Sequence, residues 1–155
     1  MNDAPKEPLE NPMALALSHA RNAGARAEVP VGAVLVDASG AVLAADGNRM
    51  IERGDPTAHA EMLVIRAAGE ALGAPRLADC DLYVTLEPCP MCAAAISFAR
   101  LRRLYFGAYD AKGGGVEHGP RIFSQPTCHH APEIYGGIEE TKAAELLKDF
   151  FTERR

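Results

Sequence analysis

The fold is decided by two short stretches, His59-Ala60-Glu61 and Pro88-Cys89-Pro90-Met91-Cys92, which the chain has to bring together. One imidazole and two thiolates from these stretches can fill three corners of a tetrahedral zinc site. The fourth corner is then left to water, as in catalytic rather than structural zinc sites. Zinc lowers the pKa of its bound water toward about 7. The carboxylate of Glu61 can face that water without ligating the metal, and it can carry the released proton.

A Cys-x-x-Cys pair alone would be a weak signal, because it also fits redox motifs and structural zinc sites. The added His, Glu and Pro at these spacings make a catalytic zinc site a far more specific prediction. One alternative is a helix-end histidine beside a pair of packing or redox cysteines. A second alternative is a zinc module that binds partners without catalysis. That module needs a closed fourth ligand position or no acid–base residue, and Glu61 argues against it.

The composition is that of one ordinary globular domain. The chain has 155 residues, of which 48% are hydrophobic and 24% are charged, and this length can bury a sizeable core. We predict a flexible tail over residues 1–10 and a single domain over residues 11–155. No apolar run approaches the roughly 20 residues of a membrane span, and no signal peptide is recognised. Two of the four cysteines belong to the motif, so we expect no disulfide framework and a reducing, cytoplasmic compartment.

The net charge of −5 is unusual for a protein that binds nucleic acid, because most phosphate-binding surfaces are basic. Global charge does not exclude a local basic patch, and two candidate patches are present. Solvated surface charge is the simpler interpretation of both. The candidates are Arg100, Arg102 and Arg103 in one patch and Lys142, Lys148, Arg154 and Arg155 in the other.

Apolar runs and turn residues predict four helices and five strands. Asn11 and Pro12 suit the start of a helix, and residues 29–36 form a continuous apolar run typical of a buried strand. The predicted strands cover 29–36, 41–45, 81–87, 103–108 and 133–138, and the predicted helices cover 13–23, 58–72, 90–101 and 139–151. This order predicts an α/β fold, namely a three-layer α/β/α sandwich with a central mixed five-stranded sheet.

Both parts of the motif fall at the amino-terminal ends of predicted helices. Thr57 is the expected N-cap of helix 58–72, so the His-x-Glu residues lie in its first turn. The expected core face of this helix consists of Met62, Leu63, Ile65, Ala68 and Leu72. The two motif cysteines lie three residues apart at the start of helix 90–101 and therefore on one face. The dipoles of the two helices favour thiolate and hydroxide where their ends meet.

One further segment outside the motif contains residues that could bind metal. Cys128-His129-His130 lies in the long loop 109–132, and loops of this length within a domain are usually functional. No additional ligand with a known spacing accompanies it, so a second zinc site is the less favoured interpretation. Cys80 precedes a strand and is expected to be a buried small residue. Asn48 follows a strand, where a turn residue is more common than a ligand contact.

The His-x-Glu and Pro-Cys-x-x-Cys pattern matches the signature of zinc-dependent deaminases, and longer stretches make the resemblance more specific. Over about residues 12–154 the chain resembles the bacterial tRNA-specific adenosine deaminases, which have the cytidine deaminase-like fold. The stretches that carry this resemblance are Glu28-Val29-Pro30-Val31-Gly32-Ala33-Val34, Gly47-Asn48-Arg49, Asp55-Pro56-Thr57-Ala58-His59-Ala60-Glu61, Leu82-Tyr83-Val84-Thr85-Leu86-Glu87-Pro88-Cys89, Gly107-Ala108, Asp110-Ala111-Lys112 and Asp149-Phe150-Phe151. Cytidine, cytosine and guanine deaminases share only the zinc motif.

The resemblance implies hydrolytic deamination of adenosine to inosine at the wobble position of a tRNA anticodon. It also implies an arginine tRNA as substrate, a homodimer and one Zn²⁺ per chain. His59, Cys89 and Cys92 would hold the zinc, and Glu61 would carry protons to the purine and to the departing ammonia.

Four substrate contacts are implied by the same resemblance. Asn48 would hydrogen-bond the purine, and the backbone of Ala60 would frame the base. Asp110 would contact a ribose near the flipped base, and Phe150 would pack against the anticodon loop. The alternative function is deamination of free nucleobases or nucleosides such as guanine or cytosine, because the same zinc chemistry serves all of these substrates.

Overall fold

The computed structural model describes residues 11–154 and contains one mixed sheet with helices on both faces. The strands are β1 (Gly32–Val36), β2 (Val42–Gly47), β3 (Asp81–Leu86), β4 (Arg103–Ala108) and β5 (Glu133–Tyr135). The helices are α1 (Pro12–Ala25), α2 (Met50–Arg53), α3 (Ala60–Leu72), α4 (Pro90–Ala99) and α5 (Glu140–Glu153), with a 3₁₀ turn at Ile122–Ser124. The predicted tail 1–10 and Arg155 lie outside the described residues. Between residues 11 and 154, no helix is long and apolar enough to cross a membrane.

The strand order is β2-β1-β3-β4-β5, which confirms the predicted mixed five-stranded sheet. β1 runs antiparallel to both β2 and β3, whereas β3, β4 and β5 are parallel to one another. The carboxyl ends of parallel strands meet at one edge of a sheet. Residues that follow β3 and β4 therefore lie side by side, and the zinc motif continues directly from β3 into α4.

Apolar side chains on both faces of β1 confirm the three-layer architecture. Ala33 and Leu35 pack into a core that also contains residues of α3 and α4. Val34 and Val36 point to the opposite face, where they pack with residues of α1 and α5. This alternation follows from the two-residue period of a strand. It explains why the sequence of this central strand is apolar throughout rather than alternating.

Several element boundaries differ from the sequence-based expectations. β1 begins at Gly32 rather than residue 29, because the N–H of Val31 donates to the carbonyl oxygen of Val29 over 2.8 Å in a local turn. At Gly32 itself, α1 packs so closely that a side chain would overlap the backbone of Ala16. α1 continues through Gly24 to Ala25. α2 was not predicted, and it forms because the carboxylate of Glu28 accepts hydrogen bonds from the backbone N–H groups at its start.

The first turn of α3 also differs from expectation. The helix begins at Ala60 with His59 at the N-cap position. The expected capping residue, Thr57, instead donates its hydroxyl to the carboxylate of Asp55 over 2.7 Å. Leu72 was expected in the core and is 49% exposed, whereas Val64 is buried in its place on the core face. The shift leaves His59 in an extended conformation just before the helix, so that it lies beside α4.

Candidate active site

Three metal-ligating side chains meet where α3 and α4 begin. His59 precedes α3, Cys89 precedes α4, and Cys92 lies in the first turn of α4. The Nδ1 atom of His59 lies 3.6 Å from the sulfur of Cys89 and 3.5 Å from that of Cys92. All three ligand atoms lie within 4.8 Å of one another, and among residues 11–154 this is the one group of at least three His, Cys, Asp or Glu side chains placed to share a metal ion.

The spacing of these donors fits a tetrahedral zinc ion. Zinc binds thiolate sulfur at about 2.3 Å and imidazole nitrogen at about 2.0–2.1 Å, so a tetrahedral angle separates nitrogen from sulfur by about 3.5 Å. The two observed separations agree with that value. Three protein donors leave the fourth zinc position to water or substrate, as the motif predicts.

The protonation of the donor set suits an incoming cation. A hydrogen bond from the thiol of Cys92 lowers the pKa of Cys89 to about 4, with a smaller contribution from His59. The same contact, together with burial, raises the pKa of Cys92, and the hydrogen bond to Cys89 raises the pKa of His59. The two thiols thus shift in opposite directions, and Cys89 is the more acidic of the pair. The positive ends of two helix dipoles stabilise the thiolate, and zinc binding requires the second proton to leave.

Glu61 lies in the first turn of α3 and is 4% exposed. It lines a pocket of about 250 Å³ together with His59 and Cys89. Burial raises the pKa of Glu61 above its ordinary value. A carboxyl group in this position accepts and returns a proton more readily at neutral pH than a solvated one. Its predicted role as proton carrier is chemically consistent with this environment.

Asn48 forms another wall of the pocket and is 6% exposed. Its Oδ1 accepts a hydrogen bond of 2.8 Å from the backbone N–H of Ala60, and its Nδ2 donates to the carbonyl oxygen of Val29 over 3.2 Å. These two bonds fix the orientation of the Asn48 amide. The second Nδ2 hydrogen takes part in neither bond. Because the N–H of Ala60 is engaged with Asn48, Ala60 acts in this structure by orienting that amide. Contacts of both residues with substrate stay predictions.

Asp110 lies where the pocket opens into a larger groove. Its Oδ1 accepts hydrogen bonds from the backbone N–H groups of Lys112 at 3.1 Å and Gly113 at 2.9 Å. The groove measures about 870 Å³, and its walls include Leu86, Leu147, Tyr109, Phe151, Lys112 and Arg154. Pocket and groove share Val29, Leu86, Asp110 and Gly113, so they are continuous. The ribose contact of Asp110 stays a prediction.

Helix α5 borders the groove but does not cover the pocket. Of the described residues that line the zinc pocket, none belongs to α5. Phe150 is only 9% exposed, and the guanidinium carbon of Arg154 lies 3.5 Å from its ring centroid. Phe151 is 52% exposed and faces the groove. The contact of Phe150 with substrate stays a prediction, and the adjacent Phe151 is the aromatic residue that a ligand can reach.

Cys128-His129-His130 has structural partners at the carboxyl end of α4. The hydroxyl of Ser97 donates to the carbonyl oxygen of His130 over 2.7 Å, and Nε2 of His130 lies 2.7 Å from the carbonyl oxygen of Leu101, to which it donates. The thiol of Cys128 donates to the same carbonyl of His130. These contacts attach the long loop to the end of α4, and they favour the structural interpretation over a second zinc site.

The first basic patch is largely neutralised by acidic neighbours. Arg102 forms two hydrogen bonds with Asp81, of 3.0 and 2.8 Å, and Arg103 lies 2.7 Å from Glu133. These pairs lie at the start of β3 and β4, about 20 Å from the zinc end by the rise of a strand. Arg102 and Arg103 are therefore paired with carboxylates, and their interpretation as solvated surface charge stays a prediction.

Two buried glutamates at the site were not assigned a role from sequence. Glu28 holds α2, and hence the segment that follows Asn48, through its bonds to the N–H groups of Ile51 and Glu52. Glu87 holds the segment after β4. Burial raises the pKa of Glu87, but hydrogen bonds from the backbone and from His118 outweigh it and hold the pKa below its ordinary value. The available signal was an acidic residue directly before the apolar run 29–36 for Glu28, and one directly after a strand and before the Pro-Cys motif for Glu87.

Comparison with known proteins identifies relatives of this site. Residues 6–108 match the family model of the cytidine and deoxycytidylate deaminase zinc-binding region. The chain is 65% identical over 143 residues to a tRNA-specific adenosine deaminase of Agrobacterium fabrum, with 92% of this chain and 93% of the relative covered.

Two solved structures resemble the whole fold. One comes from work on A-to-I editing by tRNA:A34 deaminases at the wobble position of transfer RNA. It matches with a TM-score of 0.86 and 65% identity, covering 88% of this chain and 98% of that one. The other is a guanine deaminase from Bacillus subtilis, with a TM-score of 0.63, 32% identity and coverage of 99% and 94%.

Proposed function

Because the chain belongs to the zinc-binding cytidine and deoxycytidylate deaminase family, and within it to the tRNA-specific adenosine deaminases, we propose that it hydrolyses adenosine to inosine at the wobble position of a tRNA anticodon. The observation that carries the proposal is the path from the zinc pocket into an open groove. Glu61 and two of the three metal donors, His59 and Cys89, line the pocket, and exposed aromatic and basic side chains line the groove. The relatives at 65% identity support adenosine rather than guanine as the base.

The residues of the pocket divide the chemistry among them. When bound by His59, Cys89 and Cys92, zinc supplies a water of lowered pKa as nucleophile. Glu61 would take one proton from the attacking water and deliver it to a purine ring nitrogen, and it would then carry a second proton, from the added hydroxyl group, to the departing ammonia. Asn48 presents its free Nδ2 hydrogen to the purine, since its oxygen is held by the backbone.

The groove supports an RNA substrate because it leaves room for the nucleotides on either side of the reacting one. A deaminase must extrude its base into the pocket while the neighbours stay attached. Phe151 and Tyr109 are 52% and 45% exposed and offer flat surfaces on which bases can stack. Lys112 lies in the same wall and can meet a phosphate. A deaminase of free bases has no use for this second compartment.

The proposal extends to an arginine tRNA as substrate and to a homodimer, both implied by the sequence resemblance. Phe98 supports the second point, because it is 80% exposed on α4 and lines a shallow, mainly apolar groove with Ala94 and Ile122. Large apolar side chains exposed to this degree often mark protein interfaces. If a second copy covers this face, Phe98→Glu should convert the dimer to a monomer in analytical ultracentrifugation. A dimer that persists would place the interface elsewhere.

A comparison of substrates tests the function directly. The zinc-loaded enzyme should deaminate adenosine in a synthetic anticodon hairpin with a kcat/KM at least about a hundredfold above that for free adenosine, cytidine, cytosine or guanine, or about 2.7 kcal/mol in transition-state binding. Turnover of free guanine or cytosine with none on the hairpin would contradict the proposal and favour a free-base deaminase.

A pair of aromatic variants tests the groove. Phe151→Ala should lower kcat/KM for the hairpin by about tenfold, because one stacked base is worth about 1–3 kcal/mol. The matched control is Tyr135→Ala, since Tyr135 is 42% exposed on β5 and is absent from the described walls of the groove. Equal losses in the two variants would show that the groove does not hold the RNA.

A further inference from the structure

The carboxylate of Glu87 is the most heavily hydrogen-bonded side chain beside the zinc site. Glu87 directly follows β3, two residues before Cys89, and is 2% exposed. Its Oε2 accepts from the backbone N–H groups of Val116, Glu117 and His118 at 3.2, 3.0 and 3.1 Å. Its Oε1 accepts from the N–H of Asp110 at 3.1 Å and lies 2.8 Å from Nδ1 of His118. Five donors from one segment therefore converge on a single buried side chain.

The glycines of this segment allow it to approach Glu87 and the zinc loop closely. A side chain at Gly114 would overlap the carboxylate of Glu87, and one at Gly115 would lie 2.6 Å from the backbone nitrogen of Pro90. The N–H of Gly115 donates to the carbonyl oxygen of Pro88 over 2.8 Å. Residues 110–118 thus pack against both the side chain of Glu87 and the backbone that leads into α4.

The same segment forms one wall of the substrate site. Asp110 and Gly113 line both the zinc pocket and the groove, and Lys112 lines the groove. His118, whose side chain is 35% exposed, is the outermost of the five donors. Its ring also lies edge-on to that of Tyr109, with 6.1 Å between the centroids. The position of this wall is therefore fixed from inside by Glu87 and from outside by His118.

We propose that Glu87 is a positioning residue, which holds segment 110–118 as the substrate-contacting wall of the active site, and that His118 is its outer partner. This inference rests on the proposed function, because the wall is assigned to an RNA substrate. Glu87 is itself among the residues that line the zinc pocket, but both of its carboxylate oxygens accept hydrogen bonds from segment 110–118. Its effect reaches the substrate through the backbone of Asp110 and its neighbours.

The substitution Glu87→Gln tests the proposal without changing the shape of the side chain. An amide in either orientation turns a donor toward at least one backbone N–H group, that of Asp110 or those of Val116, Glu117 and His118, so the segment loses an acceptor. In the zinc-loaded enzyme, we expect KM for the anticodon hairpin to rise about tenfold while kcat changes less than about threefold. Hydrogen exchange at the amides of Val116, Glu117 and His118 should accelerate, and zinc should remain at one per chain.

The control is Asp81→Asn at the opposite end of β3. Asp81 is also buried, at 5% exposed, but it pairs with Arg102 rather than with the pocket wall. This variant should lower the melting temperature and leave KM unchanged. A Glu87→Gln enzyme that matches this behaviour, with KM unchanged and amides still protected, would overturn the proposal. Loss of zinc without a change in KM of the loaded fraction would overturn it as well.

Two variants of His118 keep the test decisive if Glu87→Gln does not fold. His118→Ala removes one of the five donors and should raise KM about threefold, whereas His118→Asn, which restores a side-chain N–H, should recover most of the wild-type KM. Equal KM values for the three proteins would overturn the proposal. If wild-type enzyme does not act on the hairpin at all, the proposed function fails instead. In that case, hydrogen exchange at the backbone amides of segment 110–118 would still show whether Glu87 holds the segment in place.

Discussion

Cysteine and histidine side chains lie at both ends of α4, but their interactions at the two ends differ. At the amino end, Cys89 and Cys92 lie beside His59 with sulfur–nitrogen distances of 3.6 and 3.5 Å. At the carboxyl end, Cys128 and His130 form hydrogen bonds to backbone carbonyl groups. The same residue types thus make a metal site at one end and a structural attachment at the other.

The polarity of the helix explains this difference. Free N–H groups and the positive dipole end at the start of α4 favour thiolate, which is the form of cysteine that binds zinc. The other end carries the negative pole of the dipole, which disfavours thiolate. There Ser97 donates to the carbonyl oxygen of His130, Arg100 to that of His129, and His130 to that of Leu101. Composition alone does not identify a metal site, because only the amino end of the helix supplies the positive field that favours thiolate.

The largest expected effect comes from removing a donor at the amino end. Cys89→Ala or Cys92→Ala should reduce zinc from one per chain to none and abolish turnover, since two donors do not complete the site. Metal analysis and a deamination assay measure both effects. Cys128→Ala is the matched control and should keep zinc and activity, with a stability loss of about 1 kcal/mol from its lost hydrogen bond. If Cys128→Ala removed a second zinc ion, Cys128 would be a metal ligand, and the contrast between the two ends of α4 would be wrong.

The next effect separates the metal ligands from the proton carrier, which lies in the first turn of α3. Glu61→Gln should lower kcat by about 10²–10⁴-fold, which is the usual contribution of a positioned acid–base group. Zinc should stay bound, because the amide leaves all three donors in place. Inductively coupled plasma analysis of the variant decides this point. Loss of zinc would show that Glu61 is a ligand rather than a proton carrier.

The sequence predicted the sheet and the zinc donors because both follow from local patterns. Short continuous apolar runs between turn residues, and the spacing of one histidine and two cysteines, are recognisable without tertiary contacts. The hydrogen bonds from segment 110–118 to the carboxylate of Glu87 were not predictable in this way, because the five donors lie more than twenty residues further along the chain. The predicted start of α3 was wrong because the hydroxyl of Thr57 forms a hydrogen bond with the carboxylate of Asp55 and does not cap the helix. Long-range hydrogen bonds and competing turn contacts carry no periodicity that a sequence reveals.

Titration of the metal-free protein probes the polarity of the amino end. The folded pKa of Cys89 is lowered to about 4 from an ordinary value of 9.0. A lowered folded pKa contributes stability that is full above pH 9.0 and is lost as the pH falls toward about 4. The contribution of Cys89 to the free energy of unfolding of the apo protein should therefore decrease as the pH decreases across this window, with a slope of at most about 1.4 kcal/mol per pH unit.

The control for this titration is Cys89→Ser, which does not ionise in the same range. Urea unfolding of the metal-free wild type and variant at several pH values gives the difference between them. That difference should shrink steadily as the pH falls. A constant difference would mean that Cys89 is not a thiolate in the apo protein, and that the start of α4 does not favour the anion.

The smallest expected effect compares basic side chains at the two ends of the sheet. Lys112 lies in the groove wall, and no carboxylate among residues 11–154 pairs with it. Arg103 lies at the opposite edge, 2.7 Å from Glu133. A free cation that neutralises a phosphate of a single-stranded loop contributes about −0.7 to the slope of log affinity against log salt. An arginine already paired with a carboxylate releases no such counterion.

Lys112→Ala should therefore make the salt slope of hairpin binding shallower by about 0.7, with only a few-fold loss of affinity at physiological salt. Arg103→Ala should leave the slope unchanged. Fluorescence anisotropy with a labelled hairpin, measured for both variants across a range of salt concentrations, gives the two slopes under equal conditions. A larger change for Arg103 than for Lys112 would place the phosphates at the carboxyl end of α4. The RNA would then lie away from the zinc pocket, which contradicts a nucleotide held in the groove beside Glu61.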